Sequence, residues 1–138
     1  MTQTDAHTIA LASADIGTGP AYATAIHVDH HDLVCDEAAQ HGGAGAGASP
    51  FGLVLSGLGA CTAITLRMYA ERKGWPLRRV HVNLAYRDDA GRKYVDRILT
   101  LEGDLDADQR ARLADIAERT PVTLAIKGGL EILTVLHG

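Results

Sequence analysis

Cys35 and Cys61 are the chain's two thiols. A thiolate is a nucleophile that oxidises to a sulfenic acid, and a second thiol within reach converts that acid to a disulfide. Bridging needs Cα atoms within about 7 Å of each other, and spacing along the sequence does not supply that distance. Cys61 lies in a run, Phe51 to Leu66, that carries no charged residue. Apolar burial disfavours a thiolate, so a reactive Cys61 needs a cation beside it; an unreactive one is a small buried hydrophobe. Cys35 has the same two readings, a resolving thiol or a strand-end core cysteine. The DHHD run at 29–32 holds metal-ligand residue types, but neighbours on a strand point to opposite faces and no third ligand follows at useful spacing, so no metal is expected. GGAGAG at 42–47 is not followed by Lys-Ser/Thr, which argues against a nucleotide site. No cofactor is expected.

The elements that must position these groups can be read from local signals. Ser49-Pro50 starts a helix, a hydroxyl cap and then a proline whose missing N–H costs nothing. Gly74 followed by Pro76 stops it, with Arg72 and Lys73 placed at the negative end of the dipole. This helix, 50–73, reads as buried, being apolar on nearly every face, and needs more cover than one small sheet supplies. Three short strands are expected before it, within 8–14, 21–28 and 30–36, the first two joined by GTGP at 17–20. EAAQHGGAGAGA at 37–48 reads as a loop. After it, 77–87 and 94–101 alternate as a hairpin across DDAGRK. Asp106 with Gln109 marks a capping box opening a helix at 107–119. Thr120-Pro121 opens a shorter one ending at Gly128-Gly129, and 130–136 reads as a closing strand. The order is α+β in one domain, 1–138.

Three runs, DEAAQHGG, SPFGLVLSGLGACTAITLRMYAERKGWPL and LEGDLDADQRARLADIAERTPV, resemble the OsmC/Ohr family of thiol-dependent hydroperoxide reductases. The resemblance implies an OsmC-like fold, antiparallel sheets packed around a buried central cysteine helix, in an intertwined homodimer. It implies organic hydroperoxide reduction at Cys61. Three family features are absent: the second cysteine's position holds Thr120, no arginine precedes Arg67, and the carboxylate near the start of the cysteine helix is replaced by Phe51 and Gly52. The substitutes available are Cys35 or an external dithiol reductant as resolver, His31 or a partner subunit's arginine at position 87 or 97 as cation, and Glu37 as carboxylate. The alternative reading is a catalytically silent dimer of this fold, binding a hydrophobic or electrophilic small molecule with Cys61 in its lining.

Bulk properties fit that picture. The chain is 138 residues and 46% hydrophobic, enough for one compact core, and its net charge of −4 argues against nucleic acid or an anionic membrane as partner. All 13 basic residues lie at or after Arg67, leaving residues 1–66 at −6 and the remainder at +2. The uncharged run is short for a membrane span. MTQTDAHTIA shows no secretory signal pattern, so a cytoplasmic, reducing compartment is expected.

Overall fold

The computed structural model describes residues 6–19 and 21–138; Pro20 of the GTGP turn lies outside them. The chain forms two compact units that divide between Leu53 and Val54.

The first unit holds β1 (Ala12–Asp15), β2 (Thr24–Val28) and β3 (His31–Cys35) in an antiparallel sheet of that order. Val28 pairs with His31, so Asp29 and His30 alone turn the hairpin, both at positive φ (47° and 68°). That is the turn whose twist matches the flanking strands. After β3 the chain loops through a single 3-10 turn (Ala39–His41) and returns beside its own strand end, where Cys35 bridges Ala48 in parallel. Gly47 makes this approach possible, because a Cβ there would collide with the Val34 carbonyl.

Helix α1 (Pro50–Lys73) has the expected ends: Ser49 Oγ accepts from Gly52 N (3.0 Å), and Gly74 leaves the helix at φ 70°. Full burial is not reached within this single chain. Four of its 24 residues are buried, Leu58, Thr62, Leu66 and Ala70, a stripe at i, i+4 spacing. Phe51, Val54, Ile64 and Met68 are exposed. One hairpin and two short helices cover one face of a helix and no more. By length and composition α1 also meets the requirement for a membrane span, which the uncharged run alone does not. The core helix of a globular unit passes the same test, and here the Leu66 stripe packs against protein.

The second unit builds that packing. β4 (Leu77–Asp89) and β5 (Arg92–Gly103) form a long hairpin turning at Ala90-Gly91. Leu66 meets Leu105, Leu113 and Ala117 in the core, with Trp75, Val80 and Leu99 packed against them. Helix α2 (Ala107–Ala117) opens on the capping box: Asp106 Oδ1 accepts from Gln109 N (2.7 Å) and Gln109 Oε1 from Asp106 N (2.9 Å). It ends at Ala117 rather than 119 because Glu118 N and Arg119 N bond three residues back, tightening the last turn before Thr120-Pro121 opens α3 (Pro121–Gly128). The closing strand expected at 130–136 is not formed. Its apolar residues, from Leu130 at 75% to Leu136 at 92%, stand exposed, since a strand exists only when an edge pairs with it and none does among the described residues.

Candidate functional site

The turn of α1 that carries Cys61 is seated on the inner face of the β4–β5 hairpin. Gly59 lies so close to the sheet that an added Cβ would stand 2.8 Å from Leu84 Cδ1. Leu84 is paired in register with Arg97, and Arg97 reaches the same helix turn. Cys61 itself is half-buried, and its Sγ lies 4.0 Å from Thr65 Oγ1 one turn on.

Arg97 is the centre of the polar structure beneath that turn. Its side chain is 12% exposed. Nη1 donates to Thr62 Oγ1 (3.1 Å) and to Thr123 Oγ1 (2.8 Å); Nη2 donates to the Ala117 carbonyl (2.9 Å) and to Glu118 Oε2 (3.2 Å). Thr62 gives its own proton to the Leu58 carbonyl (2.7 Å), which leaves its oxygen free to accept. Thr120, fully buried at the N-cap of α3, accepts from Thr123 N and lies 2.6 Å from Thr123 Oγ1. The position where the resemblance places a second cysteine is therefore tied through Thr123 and Arg97 to the residue after Cys61. Lys127 Nζ bonds Glu118 Oε1 (2.6 Å); that bond first, and the Arg97 charge after it, hold the Glu118 carboxyl below its ordinary value against partial desolvation.

The arginines expected to serve a second subunit are both engaged within their own chain: Arg87 pairs with Asp96 (3.0 Å) and Arg97 with Glu118. The sequence signal for Arg97 was present. It falls on the inward alternation of β5 with Val95, Leu99 and Leu101, a place where a charged residue must be bonded if it is to stay.

In the first unit, Cys35 is buried at the end of β3, 7% exposed. His31 opens the same strand and is exposed, while His27 Nδ1 pairs with Asp32 Oδ1 at 2.8 Å. Among the described residues, no group of three His, Cys, Asp or Glu is placed to hold a metal. Glu37 is half-buried and its backbone serves the loop, its N–H donating to Asp36 and its carbonyl accepting from Gly45 N.

Asp36, the residue before Glu37, anchors the loop that follows it. Its carboxylate, 2% exposed, accepts from Glu37 N (2.7 Å) on Oδ1 and from Ala44 N (3.1 Å) and Ala46 N (3.2 Å) on Oδ2. Its cover is the glycine loop itself. Burial acts to raise its pKa, but the backbone donors outweigh it and hold the carboxyl below its ordinary value. A depressed folded pKa means the carboxylate's contribution is present above the unfolded value and lost as pH falls through the folded one. The loop at 37–48 is thus expected to loosen below about pH 4, read as faster amide hydrogen exchange at Ala44 and Ala46. Asp36→Asn is expected to show that fast exchange at neutral pH and to remove its acid dependence. Slow exchange at those two amides in the variant would contradict this.

The profile of the OsmC-like protein family matches residues 42–134, and the chain belongs to that family. No curated protein matches it by sequence. Solved structures share its fold at low identity. An OsmC-like protein from Mycoplasma pneumoniae is 16% identical, with a TM-score of 0.73 over 91% of this chain and 90% of that one. The organic hydroperoxide resistance protein OsmC from Legionella pneumophila, described as a predicted redox protein, is 20% identical, with a TM-score of 0.66 over 90% of this chain and 93% of that one. The organic hydroperoxide resistance protein OhrB of Bacillus subtilis is 23% identical, with a TM-score of 0.60 over 88% and 92%.

Proposed function

Taking membership of the OsmC-like family as the premise, we propose that this protein is a thiol-dependent organic hydroperoxide reductase whose nucleophile is Cys61. The observation that carries the proposal is the placement of a half-buried, non-disulfide thiol on a sheet-seated turn of an otherwise apolar helix. An apolar approach suits an alkyl hydroperoxide, and two relatives of the same fold bear names of organic hydroperoxide resistance. The Cys61 thiolate attacks one oxygen of the O–O bond; the other leaves as alkoxide and takes a proton to become the alcohol. Cys61 is then a sulfenic acid. A second thiol, from Cys35 or an external dithiol, attacks that sulfur, releases water and leaves a disulfide, which the external dithiol reduces.

The working form is proposed to be a homodimer. Exposed apolar residues on α1 (Ile64, Met68) and along the tail (Ile132, Val135) are what a second copy would cover. The uneven charge, −6 over residues 1–66 and +2 over the rest, favours apposing unlike halves of two chains. Sedimentation is expected to give twice the chain mass, and a monomer at micromolar concentration would contradict it.

The test of the activity is stopped-flow oxidation of the reduced protein by tert-butyl hydroperoxide. Oxidation at least about a hundredfold faster than free cysteine at the same pH supports the reductase. A rate equal to free cysteine overturns it and leaves the second reading, a binding module for an apolar or electrophilic molecule, which the Thr at position 120 favours.

A further inference from the structure

We infer that Arg97 is a positioning residue for Cys61, acting through its hydrogen bond to Thr62; the inference rests on Cys61 being the reacting thiol. Apolar burial is non-directional, and this helix offers apolar residues on nearly every face. Apolar contacts therefore choose weakly among rotations about the helix axis, apart from the one close approach of Gly59 to Leu84. A hydrogen bond does choose, because it fails within a few tenths of an ångström and tens of degrees. Of the four buried residues in α1, Thr62 is the polar one, and the guanidinium that meets it is held from three other sides, by the Ala117 carbonyl, Glu118 and Thr123. Arg97 rises from β5 at the position paired with Leu84, the side chain against which Gly59 closes. Two fixed points, Gly59 on Leu84 and Thr62 on Arg97, thus bracket Cys61 along the helix. One residue before Thr62, Cys61 points about 100° away from it around the axis. Holding Thr62 inward fixes the direction in which Sγ is presented.

A buried polar contact that selects one packing among near-equivalent ones is a recognised use of such groups. Here it selects the azimuth of the reactive turn. Losing it lets α1 roll without unfolding, and misplacement by about 1 Å costs up to about a hundredfold in rate.

The experiment compares Thr62→Val, which keeps the shape and loses the hydroxyl, with Thr62→Ser, which keeps the hydroxyl and loses the methyl, in Cys35→Ser protein so that Cys61 is the single thiol. Two rates are read: oxidation by tert-butyl hydroperoxide and alkylation by iodoacetamide. Thr62→Val is expected to change both at least tenfold, and Thr62→Ser to stay within about twofold of the parent, although it removes more packing. Arg97→Gln is expected to match Thr62→Val, and the double variant to be no further changed, the non-additivity of one shared contact. Thr62→Val reacting at the parent rate with both reagents overturns the inference, even where Arg97→Gln fails to fold. A parent that alkylates with this pattern but reacts with hydroperoxide no faster than free cysteine sinks the reductase and leaves the positioning role standing.

Discussion

Cys61→Ser is expected to abolish the rapid reaction with alkyl hydroperoxide while leaving the fold in place. The substitution removes the nucleophile itself, so the loss is at least about a hundredfold and is complete within the background of any slower thiol. The fold should survive it. Cys61 is half-buried, and Thr65 Oγ1, 4.0 Å from its Sγ, suits a serine hydroxyl as well as a thiol. Cys35→Ser separates the routes that follow. If Cys35 resolves, wild type loses the mass of two hydrogens on oxidation and Cys35→Ser stops at a sulfenic acid that dimedone traps. If an external dithiol resolves, both proteins stop at the same trappable species. Rapid oxidation that persists in Cys61→Ser and vanishes in Cys35→Ser would move the chemistry to the first unit and refute the assignment.

What was legible in the sequence was what is decided locally. Ser49-Pro50 and Gly74 bound α1 at its observed ends, and Asp106 with Gln109 forms the capping box read from their spacing. Caps satisfy backbone groups within one turn, so three or four residues carry the whole signal. What failed depends on distant partners. The extent of α1 burial is set by how much surface the rest of the unit offers, which no residue of the helix encodes. LEILTVL at 130–136 has a strand's alternation, yet pairing needs an edge, and the sequence does not say which chain provides it.

The candidate site divides the same way. Cys61 announced itself by type and surroundings. Arg97 stood out as a candidate cation for a second subunit, but its bonding within its own chain did not, because its Thr62 contact spans 35 positions. Asp36 carried no such signal: Glu37, Ala44 and Ala46 meet its carboxylate through backbone N–H groups, which no side-chain type announces.

Thr120→Cys, made in Cys35→Ser protein, is expected to convert the chain to two-cysteine chemistry. Thr120 joins Thr123, Arg97 and Thr62 in one connected set of hydrogen bonds, so the start of α3 and the Cys61 turn are held in fixed register. The substitution costs a helix cap, about 0.5–2 kcal/mol, because sulfur is a poor acceptor for Thr123 N. That cost falls on the first turn of α3, the segment that must give way for a fully buried side chain to reach a sulfenic acid. Weakening the cap and supplying the thiol therefore act in the same direction. One equivalent of hydroperoxide should remove two hydrogens from the mass, protect both thiols from alkylation, and suppress the dimedone adduct seen in the Cys35→Ser parent. Persistence of the adduct at full yield would mean that the register between α3 and α1 no longer suits disulfide formation. Threonine at 120 would then belong to a site already rebuilt around Arg97, one that depends on a thiol from outside this position to complete its cycle.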